Sequence, residues 1–192
     1  MRRRGLTLPE LLVACALASL VLTGLAMLFV QSVRYHRALE VSLELQQSNL
    51  AAMALLSRDL SEGNPASLRA EPGGLVMASP RDLTGNLQVD SQGRLMWRKY
   101  ICYYLAPING VNCLLRKEQA LPVPLDTAPI LPDTLDVLSF RTSAAPYSVL
   151  ARNLEQVEFS GTNPVSMRLV SSRTVATELF RIESRSDVVP KN

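Results

Sequence analysis

The sequence predicts an α+β protein in which a long N-terminal helix, apolar first and amphipathic later, packs against an antiparallel β-sheet. Three observations lead to this prediction. Leu11 to Val30 contains no charged residue. Apolar residues then recur close to a helical period as far as Leu60. From Gly73 onward, short strand-like runs alternate with turn residues. With 192 residues, the chain is long enough for one modest domain beside the helix.

The uncharged run is long enough to cross a membrane. About 20 apolar residues suffice to span the hydrocarbon core as a helix, and Leu11 to Val30 has that length. Arg2, Arg3 and Arg4 precede the run. Basic residues on this flank predict a cytoplasmic N-terminus, so the chain after Val30 is expected on the far side of the membrane.

Glu10 is the unusual residue of this segment, because a carboxylate at the end of a membrane helix costs free energy. No basic residue lies between Gly5 and Arg34 in the sequence. Cleavage after Gly5 would make Leu6 a new N-terminus. The ammonium group of a neighbouring subunit could then pair with Glu10 inside a helical bundle and fix the axial register between subunits.

Residues 5–14, Gly-Leu-Thr-Leu-Pro-Glu-Leu-Leu-Val-Ala, resemble the class III signal of type IV prepilins and type II secretion pseudopilins. In that family a prepilin peptidase cuts after the glycine and methylates the new N-terminus. The resemblance therefore implies cleavage at Gly5, methylation of Leu6 and an assembly role for Glu10. Leu6 stands where the family usually has phenylalanine, and Pro9 where an aliphatic residue is usual.

Two other kinds of leader share the basic stretch and the apolar run: a secretory signal peptide and a plain signal anchor. A secretory apolar region is roughly 7–15 residues long and ends at a small-residue cleavage site. This run is longer and no such site follows it. A plain anchor gives no reason for Glu10. The alternative that we retain is a signal-anchored periplasmic binding or enzymatic domain with a pilin-like leader.

The predicted organisation has five parts. They are a leader at 1–5, a transmembrane or filament-core helix at 6–30, its amphipathic continuation at 31–62, a periplasmic β-rich domain at 63–185 and a flexible tail at 186–192. The helix is expected to stop at the breaker cluster from Ser61 to Pro65. An apolar stripe on the amphipathic part of the helix packs either on the sheet or on neighbouring subunits. It consists of Leu39, Leu43, Leu50, Met53 and Leu60 and is broadened by Val41, Leu45, Ala52 and Leu56.

The β-rich part is predicted from runs of strand formers. The expected strands are 75–78, 86–89, 94–106, 113–116, 135–140, 155–160, 165–170 and 178–183. Asn109-Gly110 predicts a tight hairpin turn. The prolines at 122, 124, 129 and 132 predict an extended surface loop. Trp97, Tyr100, Tyr103 and Tyr104 are interpreted as core and edge packing, with a protein-contact surface as the alternative.

Cys102 and Cys113 flank the predicted turn, and both lie in a compartment that is oxidising under the proposed topology. A disulfide between them is predicted if the hairpin brings their Cα atoms within about 4.4–6.8 Å. The alternative is two free buried thiols. Cys15 lies in the apolar run, where a thiol behaves as a small hydrophobe.

Several classes of function have no support in the sequence. Without the leader arginines and Glu10, the chain has 17 basic and 16 acidic residues, a charge of about +1, so direct nucleic-acid binding is not expected. No G-x-S-x-G, P-loop or H-E-x-x-H motif occurs, and the chain has one histidine. We therefore predict no enzymatic activity, no catalytic residues, no metal site and no cofactor.

The resemblance leads to a functional hypothesis. Chain length and element order are similar to minor subunits of the J type and the PilW type, which help to initiate or cap a type IV pilus or a type II secretion pseudopilus. The expected partners are a prepilin peptidase, other pilin or pseudopilin subunits and the bacterial inner membrane, crossed once with the C-terminal domain in the periplasm. Whether the machine is a pilus, a secretion system or a DNA-uptake apparatus, and which subunits are neighbours, stays open at this point.

Overall fold

The fold is α+β, as predicted, in a computed structural model that describes residues 8–175 and 178–191. The elements in chain order are α1 (Leu8–Glu62), a 3-10 turn (Pro65–Ser67), β1 (Leu68–Glu71), β2 (Gly74–Ser79), β3 (Trp97–Ile108), β4 (Val111–Leu125), α2 (Val137–Thr142), β5 (Tyr147–Arg152), β6 (Leu154–Ser160), β7 (Val165–Val175) and β8 (Glu178–Val188). The helix ends at the predicted breaker cluster, where Asn64 caps the 3-10 turn through Ala66 N–H.

The chain divides into two compact units, one up to Val41 and one from Ser42 onward. The first unit contains the apolar part of α1. Among the described residues, α1 is the helix whose length and composition would allow it to cross a membrane. The second unit contains the remainder of α1, both sheets and α2.

The second unit has two antiparallel sheets, with strand orders β1-β2-β3-β4-β5 and β6-β7-β8. The β3–β4 hairpin turns at Asn109 and Gly110, as predicted, and Ile108 faces Val111 across the turn. Both turn residues have positive φ, at 51° and 79°. This is the backbone of the tight turn that favours an Asn-Gly pair.

The five-stranded sheet separates two apolar clusters, because successive side chains of a strand point to opposite faces. Ile101 and Tyr103 of β3 join the larger cluster, together with Leu56 and Leu60 of α1. Their neighbours Cys102 and Tyr104 join the smaller cluster, which α2 covers. The two tyrosines are almost fully buried, which supports the interpretation of the aromatic group as core packing.

The helix stripe was predicted only in part. The buried positions are Val41, Leu45, Asn49, Ala52, Met53, Leu56, Asp59 and Leu60. Leu39, Leu43 and Leu50 are instead 41%, 54% and 59% exposed. Six of the nine predicted stripe residues are therefore buried, and two polar residues outside the prediction, Asn49 and Asp59, complete the buried face.

Residues 135–140 do not form the predicted strand. Asp136 caps α2 instead: its side chain accepts from Ser139 N–H, and the Ser139 side chain lies against the backbone of Asp136. This capping box starts a short helix, and the helix then buries Val137 and Phe140 on one face.

The strand predicted at 86–89 and the first residues of the strand predicted at 94–106 do not form, although Val89 and Leu95 pair across the turn between them. Residues 80–96 form a connection between β2 and β3 that contains two isolated bridges, Arg81 with Leu87 and Val89 with Leu95. Asp82 and Asp90 organise the two turns, since each carboxylate accepts backbone N–H groups two and four residues further along the chain.

Further differences concern β4, two additional strands and the C-terminal tail. β4 continues to Leu125 and includes Pro122 and Pro124 from the predicted loop. β1 and β5 were not predicted. The predicted flexible tail is wrong for Ser186 to Val188, which pair with β7, and Lys191 N–H donates to Ser61 at 3.3 Å. Asn192 lies outside the described residues.

Candidate assembly segment and the domain behind it

Glu10 lies in the first turn of α1 and is exposed. Gly5 and Leu6, the predicted cleavage and methylation positions, lie outside the described residues. Helical spacing puts Val13, Ala14 and Leu17 on the same face as Glu10. The acid therefore stands at the start of an otherwise apolar helix face.

The apolar half of α1 exposes its side chains all round. Leu12, Leu20 and Phe29 are 62%, 71% and 71% exposed, although they point in different directions from the helix axis. A continuous apolar surface of this kind needs lipid or other helices to cover it.

The hydroxyl groups of this segment are compatible with an apolar environment. Ser19 donates to the carbonyl of Ala16 and Thr23 to that of Ser19, both at 2.8 Å. Such bonds to the preceding turn satisfy hydroxyls where water is absent. Gly24 has open space where a Cβ would lie, so no contact within the chain requires a glycine there.

The predicted disulfide between Cys102 and Cys113 is not formed. Both cysteines are free and buried. Cys102 faces Lys117 across the hairpin, and Cys113 faces Ala106. The two cysteines therefore lie on one face but four residues apart along the ladder, about 13 Å at 3.3 Å per residue, well beyond the span of a disulfide. Burial raises the pKa of Cys102 to about 12.

A buried charged cluster joins α1 to the five-stranded sheet. Asp59, whose side chain is 1% exposed, accepts from Tyr103 O–H and from Arg116 Nη2 at 3.0 Å and Nε at 3.2 Å. Arg58 binds the other carboxylate oxygen at 3.0 Å. Arg116 also pairs with Glu118. The bonds from Tyr103 and Arg116 to Asp59 therefore link the helix to the sheet.

The cluster shifts the pKa values of its members. Desolvation, followed by the negative charge of Asp59, raises the pKa of Tyr103 well above its usual value, so this hydroxyl keeps its proton. Desolvation alone would lower the pKa of Arg116, but Tyr103 and Asp59 outweigh it and raise that pKa. This cluster was not predicted from the sequence. The available indication was the spacing of Asp59, three residues after Leu56 and seven after Ala52, on a single helix face.

A second ion pair fixes the connection 80–96 to the end of α1. Arg81 donates to both carboxylate oxygens of Glu62, at 2.5 and 2.6 Å, and to the carbonyl of Gly85 at 2.6 Å. The pKa of Asp82 is lowered, first by the bond from the Thr84 hydroxyl. The pKa of Asp90 is lowered, first by the bond from Arg94 N–H.

Charged side chains occupy the outer face of the three-stranded sheet. Arg168 bridges Glu158 and Glu183, at 3.1 and 2.9 Å. The hydrogen bond from Arg168 lowers the pKa of Glu183 to about 2. Within the part of the chain that the structure describes, no cluster of His, Cys, Asp or Glu could hold a metal ion.

The comparisons with known proteins match the start of the chain. Residues 1–26 match the family model described as the prokaryotic N-terminal methylation motif. Neither the curated proteins nor the solved structures contain a match to the chain. The matched motif covers Gly5, Leu6 and Glu10, and it supports a type IV pilin-like or pseudopilin-like class for this protein.

Proposed function

We propose that the protein is a minor pilin or minor pseudopilin, a structural subunit that helps to initiate or cap a type IV pilus or a type II secretion pseudopilus. The single observation that carries the proposal is the methylation motif at residues 1–26, which continues into an apolar helix with exposed side chains all round. Pilin-like proteins are generally structural, and the proposal includes no catalytic step.

The proposed sequence of events starts in the bacterial inner membrane. A prepilin peptidase cuts after Gly5 and methylates Leu6. The apolar half of α1 then moves from lipid into the core of a filament, where other subunits cover its surface. The segment passes from one apolar environment, the lipid, to another, the filament core, so it does not have to enter water. The domain from Ser42 onward remains in the periplasm.

Glu10 has the assembly role in this proposal. Its carboxylate would pair with the methylated ammonium group of a neighbouring subunit, and the pair would fix the axial register between helices. In an apolar surrounding such a charge-assisted bond is stronger than in water. The minor-subunit assignment is supported by chain length and element order.

The substitution Glu10→Leu tests the role of the acid. We expect normal membrane insertion and cleavage, but recovery in sheared filaments reduced about tenfold or more, which corresponds to a loss of about 1.4 kcal/mol. Glu155→Leu, at an exposed position of β6, is the matched control and should assemble normally. Normal recovery of Glu10→Leu would contradict the charge-pair role.

A further inference from the structure

The free edge of β5 differs from the other sheet edges. The two sheets end in β1 and β5 and in β6 and β8. Open edges are usually protected by shortness, charge or proline. β1 has four residues and two charges, β6 has two charges and β8 has five. The first five residues of β5, Tyr147 to Ala151, contain no charge and no proline.

The register shows which backbone groups this edge presents. The two-residue turn makes Ile108 and Val111 a hydrogen-bonded pair, so alternate residues of β4, including Leu114 and Arg116, direct their backbone toward β5. Arg116 faces Ser148. The backbone N–H and C=O groups of Tyr147 and Val149 therefore point away from β4, toward the open edge.

A groove runs along this edge beside α1. It consists of two adjoining cavities of about 220 and 470 Å³, which share Glu44, Val149, Arg152 and Asn153. Leu45 and Ser48 of α1 line the first cavity. The side chains of Tyr147 and Val149 are 53% and 36% exposed. The groove thus places apolar and charged side chains beside an unpaired strand edge.

The charge of the groove selects the chemistry of an occupant. Arg173 has one partner there, Glu44, at 2.6 Å, and both side chains are exposed at 41% and 64%. Among the residues for which the structure gives side chains, none pairs with Arg152. Two guanidinium groups thus face a single carboxylate, and the groove carries an excess positive charge.

We propose that the β5 edge binds an extended, acidic segment of another protein chain as an additional strand. The backbone of this segment would bond to Tyr147 and Val149, and its carboxylates would bind Arg152 and Arg173. Strand addition of this kind gains affinity from main-chain bonds and specificity from side-chain contacts. The proposal concerns the domain from Ser42 onward and does not depend on cleavage at Gly5 or on Glu10.

Amide hydrogen exchange on the full chain in detergent micelles tests the proposal with three synthetic hexapeptides. The first alternates valine and threonine and ends in two glutamates. The second ends in two lysines, and the third is the glutamate peptide with alternate amides N-methylated. At millimolar concentration we expect only the first to slow exchange at Tyr147 and Val149. Arg152→Gln should weaken its binding about five- to tenfold, and Arg181→Gln on β8 should not.

A proline variant separates edge pairing from groove filling. Val149→Pro removes an N–H group that points outward, so the β4–β5 ladder should remain while protection of Tyr147 is lost. Absence of protection by the glutamate peptide, or equal protection by all three peptides, would overturn the proposal. A third outcome would also overturn the proposal: the chain self-associates, Val149→Pro abolishes this self-association, and no peptide protects the edge. The occupant would then be a second copy of the chain.

Discussion

At the residue scale, Asp59 shows how one buried charge can organise a helix–sheet contact. An isolated carboxylate in this position would be very costly, and it is tolerated because Arg116, Arg58 and Tyr103 bind it. Hydrophobic pattern alone assigns an aspartate to the outer face of a helix. For this reason the predicted stripe did not include Asp59, and it extended to Leu39, Leu43 and Leu50, which are exposed.

Removal of Asp59 should destabilise the domain strongly. Asp59→Ala leaves the Arg116 guanidinium buried without its main partner, and we expect a loss of about 3–5 kcal/mol in the free energy of unfolding. The exposed pair offers a control, since Glu158→Ala should cost about 1 kcal/mol or less. Trp97, the only tryptophan and 3% exposed, reports denaturant unfolding of the full chain in micelles. A loss below 1 kcal/mol for Asp59→Ala would contradict the role of the cluster.

Acid should loosen the connection 80–96. The pKa values of Asp82 and Asp90 are lowered in the folded state, so their stabilising contribution is complete above the unfolded pKa of about 3.9 and is lost as the pH falls through the folded values. Carboxyl NMR titration should give midpoints below 3.9 for both residues. The amide chemical shifts of Thr84 and Arg94 should change with the same midpoints. Midpoints of about 3.9 or higher for Asp82 and Asp90 would contradict their stabilising role.

At the element scale, α1 presents two leucines that the sequence does not distinguish. Leu56 is fully buried, and Leu50 is 59% exposed on the same helix. Only the tertiary contact with the sheets separates them. The predicted stripe included both leucines, because the hydrophobic pattern alone does not distinguish the helix face of Leu50 from that of Leu56.

The same substitution at both positions tests this assignment. Leu56→Ala removes core contacts and should lower the free energy of unfolding by about 2–5 kcal/mol. Leu50→Ala should change it by no more than about 0.5 kcal/mol. Trp97 fluorescence under denaturant measures both, and similar values for the two variants would show that the buried face is assigned wrongly.

Other elements show where sequence patterns succeed and fail. Asn109-Gly110 was placed correctly because its positive φ values permit few residue types. The strand predicted at 135–140 failed because the capping box of Asp136 outweighed the β-forming residues. Pro122 and Pro124 lie where the β3–β4 register shifts, between the paired residues Ala120 and Leu125. No ladder N–H is needed there, so β4 tolerates both prolines.

At the scale of the whole molecule, the two units differ in how much of each can be predicted from the sequence. The first has a sequence motif whose chemistry can be recognised without a structure, and the family model matches that same stretch. The second unit has no specific sequence motif. Its fold class follows from periodicity, but the buried Asp59 cluster and the unprotected β5 edge depend on contacts distant in sequence, which one sequence does not specify.

The central claim is that this chain is processed as a prepilin, and the mature N-terminus tests it most directly. The full chain should be co-expressed with a prepilin peptidase, and its N-terminal peptide and intact mass determined by mass spectrometry. The account predicts a chain that lacks Met1 to Gly5 and begins with N-methylated Leu6. A chain that keeps Met1 to Gly5, or begins at any other residue, would contradict it.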